Sequence, residues 1–239
     1  MLHMGGNVAK DFISSNMARY QPGVWSFWQT VKYYFTVDNA YVLKKLKVLF
    51  CPIMNENWQR LRSQASYNPD MANSAMEREK KFAPPQLDVN APDLYIPVMS
   101  FVTYVLLSGF LHGRAEEFTP EVLKEGMTSG LVTDLILVIL LRFGLYLLGA
   151  PASFLELSCY SGYKYVALCV NLTLGILLGR TCYYIALVWT GCMGAYFMLK
   201  TMADYVPVGP NTRDVMIFAF AGIQLLAIWW LGSSLQFLP

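Results

Sequence analysis

Ala91-Pro92-Asp93-Leu94-Tyr95-Ile96-Pro97 divides this chain into two unlike parts. Eleven of the eighteen Lys/Arg residues precede it. Beyond it come five long apolar runs, each of about the 20 residues that a helix needs to cross a bilayer. At 55% hydrophobic and only 14% charged, the 239 residues are too apolar for an ordinary soluble domain and too many for a simple anchor. The expected fold is all-α: a polytopic, five-helix transmembrane bundle (residues 94–239) behind a cytosolic N-terminal region (residues 1–93).

Working outward from the seam, the spans are expected at about residues 94–111, 128–148, 157–178, 182–201 and 215–235. Pro97 falls in the first turn of its helix, where a missing N–H does no harm. The connections are short; the one from Gly113 to Gly126 carries Glu116-Glu117 and a helix start at Thr119-Pro120-Glu121. A cytosolic N-terminus places its basic residues, with Lys200 and Arg213, on one side, leaving only Arg114, Lys124 and Arg180 opposite. Five spans then put the C-terminus in the lumen. Residues Met1 to Tyr20 lack a secretory signal pattern, so insertion is expected to use an internal span.

Upstream of the seam, Met1 to Gln21 is mildly amphipathic, and Val24-Trp25-Ser26-Phe27-Trp28 suits a membrane–water boundary. Asp38 is a good N-cap for a helix over about residues 39–50, stopped before Pro52. At 100° per residue, Val42, Leu43, Leu46, Leu49 and Phe50 share one arc, with Lys44, Lys45 and Lys47 on the other side. Such a helix suits the surface of the cytosolic leaflet, each lysine adding about 1 kcal/mol of attraction to anionic lipid. It equally suits a helix packed on the bundle with solvated lysines. Residues 55–89, with the run Glu77-Arg78-Glu79-Lys80-Lys81, read as a solvated loop.

Charges inside the spans require a reason, since an Asp at the bilayer centre costs about 3 kcal/mol. Arg142 and Lys164 each lie about 10 Å from the cytosolic ends of neighbouring helices and can snorkel to headgroups, meeting Glu156. Asp134 lies about 20 Å down, level with Asn171. Asp134 is therefore expected to pair with Asn171, to be protonated, or to face a partner; the alternative is structural glue within the bundle. Gly109/Gly113, Gly126/Gly130 and Gly175/Gly179 have helix-packing spacing. The five cysteines show no metal spacing, and no P-loop, Gly-x-Ser-x-Gly or His/Glu metal motif is present. No catalytic residue, cofactor or metal is expected, and nothing calls for nucleic acid.

Several blocks carry a resemblance: Lys32-Tyr33-Tyr34-Phe35, Ala40-Tyr41-Val42, Asp88 to Pro97, Phe101 to Leu106, Phe118 to Glu121, Gly144 to Leu147, Gly162-Tyr163-Lys164-Tyr165-Val166 and Tyr183-Tyr184. From Lys32 onward the chain resembles the Yip/Yif membrane proteins of the early secretory pathway, the Yif branch in particular. The resemblance implies a five-span protein of the endoplasmic reticulum and Golgi with a cytosolic N-terminus. It further implies a hetero-oligomer with a Yip-type membrane protein, association with Rab-type GTPases and vesicle coat components, and a place in vesicle transport. The candidate partner- or lipid-contact residues are Asp93, Tyr95, Pro97, Asp134, Arg142, Lys164 and Asn171.

Two readings of function follow. The first is a non-enzymatic factor of transport between endoplasmic reticulum and Golgi. The alternative is a lipid-binding, membrane-shaping or lipid-scrambling protein, motivated by Arg142, Lys164 and the helix over residues 39–50. A solute channel is poorly supported, because few polar residues are available to line a pore.

Overall fold

A computed structural model describes residues 22–61, 82–116, 118–150, 152–206 and 211–233. The expectations for Met1–Gln21, for Glu77–Lys81 and for the C-terminal tail concern residues outside that set. Two helices precede the seam, α1 (Pro22–Tyr34) and α2 (Asn39–Phe50), followed by a 3₁₀ turn at Pro52–Met54. Asp38 caps α2, its Oδ1 accepting from the Asn39 N–H at 2.8 Å. The helix ends where the Cys51 N–H reaches the Lys47 carbonyl and Pro52, lacking an N–H, follows. Beyond the seam come α3 (Tyr95–Arg114), α4 (Pro120–Leu147), α5 (Phe154–Gly162), α6 (Lys164–Leu178), α7 (Arg180–Tyr205) and α8 (Asn211–Ser233).

Five stretches are long and apolar enough to cross a membrane: Tyr95–Arg114, Pro120–Leu147, Phe154–Leu178, Arg180–Tyr205 and Arg213–Gly232. The chain is an all-helical, polytopic membrane protein. The second span starts at Pro120 rather than near 128, because the helix started at Thr119-Pro120-Glu121 runs on without a break. The third divides at Tyr163 into α5 and α6, joined by a tighter Val166 N–H to Tyr163 O bond. That span is the axis of the bundle: 56% of its apolar window is buried, against 33% for the second.

Two apolar clusters fill the interior. One joins Tyr104, Leu111, Tyr165, Leu168, Leu172, Tyr183, Leu187 and Ile228 in the half away from the N-terminal region. The other joins Leu141, Leu145, Leu157, Tyr160, Tyr163, Phe197, Met198 and Met202 with Tyr41 of α2. The described part of the N-terminal region thus shares its core with the bundle. What makes room for it is a stagger between helices. Pro97 of α3 sits on Gly162, where a Cβ would lie 2.6 Å from the Pro97 Cβ. Since α5 has nine residues, it rises about 13 Å beyond the start of α3, leaving a step that α2 fills.

The face that α2 buries differs from the expected arc. Tyr41 and Lys45, one turn apart, point into the core, while Val42, Leu46, Leu49 and Phe50 are partly buried. Lys44 and Lys47 are exposed, and Leu43 is exposed with them. Lys45 is therefore not a membrane-surface lysine; it is 1% exposed. The buried face is rotated toward Tyr41 because the partners waiting there, two carbonyls and a carboxylate, favour an ammonium over another leucine.

Candidate functional site

The polar groups at the step form a clasp between the N-terminal region and the bundle. Asp93 is fully buried, and its Oδ2 accepts from the Tyr41 hydroxyl at 2.9 Å and from the Tyr163 hydroxyl at 2.6 Å. Its Oδ1 accepts from the Ile96 N–H at 2.8 Å and so caps the first turn of α3. Its own N–H donates to the Tyr163 oxygen at 3.0 Å. Lys45 Nζ lies alongside, donating to the carbonyls of Val89 at 2.7 Å and Ala91 at 2.9 Å. The rings of Tyr163, Phe197 and Tyr41 surround it at 5.2, 5.8 and 5.9 Å. Burial pulls the Lys45 ammonium down to about 8, opposed by the nearby carboxylates of Asp93 and Asp88. Burial, then the Asp93 charge, pushes the Tyr41 hydroxyl up.

A second contact joins the same parts. Arg60 donates to Glu156 of α5 at 2.6 Å, and Tyr205 of α7 donates to the other Glu156 oxygen at 3.2 Å. Trp58 stacks edge-on against Phe197, with centroids 5.8 Å apart. Asp88 accepts from the N–H groups of Leu61 and Asn90 at 2.8 and 2.9 Å. The described ends of the expected 55–89 loop are thus built into the fold.

Within the bundle, Lys164 ion-pairs with Asp134. Ser161 Oγ donates to the same Asp134 oxygen at 3.0 Å, and Gln224 Nε2 donates to the Ser161 carbonyl at 3.3 Å. The pairing of Asp134 with Asn171 is not formed. Asn171 instead bonds Thr190 of α7, with Nδ2 to Oγ1 at 2.9 Å. Lys164 does not snorkel, and neither it nor Arg142 meets Glu156, which is held by Arg60. The third span begins at Phe154 rather than near 157, which puts Lys164 about 15 Å along the span from that end, within side-chain reach of Asp134.

Of the expected contact residues, Asp93, Pro97, Lys164 and Asn171 are buried within the chain and are unavailable to a partner or lipid in this arrangement. Tyr95 is half-buried, Asp134 keeps a quarter of its side chain exposed, and Arg142 is exposed on the outer face of α4. Val42, Leu46, Leu49 and Phe50 pack toward the bundle; Lys44 and Lys47 stay outside. The partners Tyr41, Tyr163, Arg60, Ser161, Thr190 and Gln224 are not site candidates by charge or spacing in the sequence. Three of the quoted blocks, around Tyr41, Asp93 and Tyr163, do meet in space at this one clasp. Among the described residues no group of three or more His, Cys, Asp or Glu side chains is placed to hold a metal ion.

What these features define is an all-helical polytopic membrane protein with an N-terminal region clasped onto the bundle. The chain belongs to the YIF1 family, which it matches over residues 2–232. Protein YIF1A of Danio rerio is 34% identical over 244 residues, covering 96% of this chain and 73% of that protein. Protein YIF1A of Mus musculus is 37% identical, covering 86% of this chain and 69% of its own length. Protein transport protein YIF1 of Saccharomyces cerevisiae is 37% identical over 146 residues, 59% of this chain and 42% of that protein. The family is one of protein transport and not of enzymes. No solved structure matches the chain.

Proposed function

We propose that this chain is a non-enzymatic trafficking factor acting in vesicle transport between the endoplasmic reticulum and the Golgi, with its N-terminus cytosolic and its C-terminus lumenal. The observation that carries this reading is the family match over nearly the whole chain, with relatives in two yeasts named protein transport proteins. In this reading the bundle pairs with a Yip-type membrane protein. The N-terminal region, held against the bundle by Asp93, Lys45 and Arg60, serves as the platform for Rab-type GTPases and coat components. The clasp supports that assignment in one respect: it couples the position of the head to the packing of α3, α5 and α7, so a partner bound on either side meets a rigid surface.

Affinity purification of the full chain from detergent-solubilised membranes tests the reading. A Yip-type protein and a Rab-type GTPase are expected to co-purify, and depletion is expected to delay exit of secretory cargo. Unaltered cargo exit after complete depletion, in cells lacking a second family member, would overturn it.

A further inference from the structure

The tip of α2 lies on the membrane side of the plane at which α3 begins. The 20 residues of α3 make a helix about 30 Å long, equal to the hydrocarbon thickness, so its first turn marks the boundary of the apolar layer at this end. Tyr163 sits at that level, bonded to Asp93. Leu49 and Phe50, at the end of α2, line a cavity of about 20 Å³ with Val166, Ala167, Thr190 and Gly194. Val166 and Ala167 follow Tyr163 by three and four residues and lie about 5 Å deeper. The chain turns at Pro52–Met54 and returns past Trp58 to Arg60, which meets Glu156 at the outer end of α5.

The exposed side chains of this excursion suit that depth. Ile53 and Met54, at the turn, are 66% and 67% exposed, and Leu43 is 70% exposed. Much of the turn's backbone is bonded internally: Cys51 donates to Lys47, Met54 to Cys51 and Asn55 to Pro52, while Pro52 has no N–H. Lys44, in the middle of α2, and Lys47, in its last turn, are both exposed, and their long side chains can extend back to carry the ammonium groups to the headgroup level. At this depth whatever the protein leaves uncovered is covered by lipid.

We propose that α2 and its 3₁₀ turn form a re-entrant wedge in the leaflet at the N-terminal face of the bundle, with Ile53 and Met54 among acyl chains and Lys44 and Lys47 on anionic headgroups. Ile53 and Met54 lie beyond the arc that periodicity singles out; of that arc the bundle takes Val42, Leu46, Leu49 and Phe50 and leaves Leu43 outside.

The test places photo-reactive benzoyl-phenylalanine at Ile53 or Met54 in the full chain. Val188, exposed on the middle of α7, serves as the lipid-facing reference, and Gln59 as the water-facing one. The proteins are irradiated in native membranes and in sealed vesicles of phosphatidylcholine and phosphatidylserine. Phospholipid adducts are expected at positions 53 and 54 with the yield seen at 188, and none at 59. In the vesicles, enrichment of phosphatidylserine over phosphatidylcholine in the adducts is expected to fall about fivefold for each of Lys44→Gln and Lys47→Gln. Loss of lipid adducts at 53 and 54 while 188 retains them would overturn the proposal. So would protein adducts in their place in native membranes, which would show a partner covering the tip. An unchanged phosphatidylserine ratio in the lysine variants would overturn the headgroup part.

Discussion

Asp93 and Tyr163 bind each other twice: the tyrosine hydroxyl donates to Asp93 Oδ2 at 2.6 Å, and its oxygen accepts the Asp93 N–H at 3.0 Å. A residue just before the first span is thereby locked to the junction of α5 and α6. The carboxylate also holds Tyr41 and the first turn of α3, so it joins three parts of the chain.

Replacing Asp93 by Ala is expected to cost about 3–5 kcal/mol, because the buried Lys45 ammonium loses its counter-charge and two hydroxyls lose their acceptor. Tyr41→Phe removes the hydroxyl that lies 2.9 Å from both Asp93 Oδ2 and the Ala91 carbonyl, and is expected to cost about 1 kcal/mol. Limited proteolysis in detergent distinguishes release of the head from global unfolding. Asp93→Ala should expose the chain around Lys45 to trypsin while the spans stay protected.

The ion pair in the bundle has a two-sided prediction. Asp134→Asn leaves Lys164 buried without a counter-charge and is expected to destabilise the bundle by about 3 kcal/mol. Combining Asp134→Leu with Lys164→Met removes both charges and should recover most of that loss. Unfolding of the purified variants in mixed detergent micelles measures both; equal losses in single and double variants would show that the pair itself is not what matters.

Lys45 carries a pH signature. Its ammonium is pulled from the usual 10.5 to about 8, so between those values the unfolded chain binds the extra proton. Below about 8 the folded protein bears the full cost of the buried charge, on the order of 3 kcal/mol, and that cost lifts as pH rises toward 10.5. The stability of the native chain relative to a Lys45→Met variant is therefore expected to increase from pH 8 to pH 10, read as the difference between their melting temperatures.

Two glycines should respond oppositely to Ala. At Gly162 a Cβ would lie 2.6 Å from the Cβ of Pro97, whose ring cannot rotate away, so Gly162→Ala is expected to cost about 1–3 kcal/mol by forcing α3 from α5. At Gly126 nothing lies within 4 Å, so helix propensity alone acts, and Gly126→Ala should stabilise by up to about 1 kcal/mol. Thermal unfolding of the two variants in one detergent provides the comparison.

Much of this protein can be read from composition and period alone. Five apolar runs of bilayer length dictate helices, because in lipid a helix closes its own backbone hydrogen bonds whatever packs beside it. Asp38 and Pro52 bracket α2 for equally local reasons, a side-chain cap and a missing N–H. The polar partnerships are another matter. Which way α2 faces, which oxygen meets Lys164 and which hydroxyl meets Asn171 depend on how far one helix is shifted along another. A shift of three residues in the start of α5 moves Lys164 by about 5 Å, enough to change its partner. Periodicity carries no information on that axial offset. It is set by close contacts such as Pro97 on Gly162, which exist only once the helices have packed.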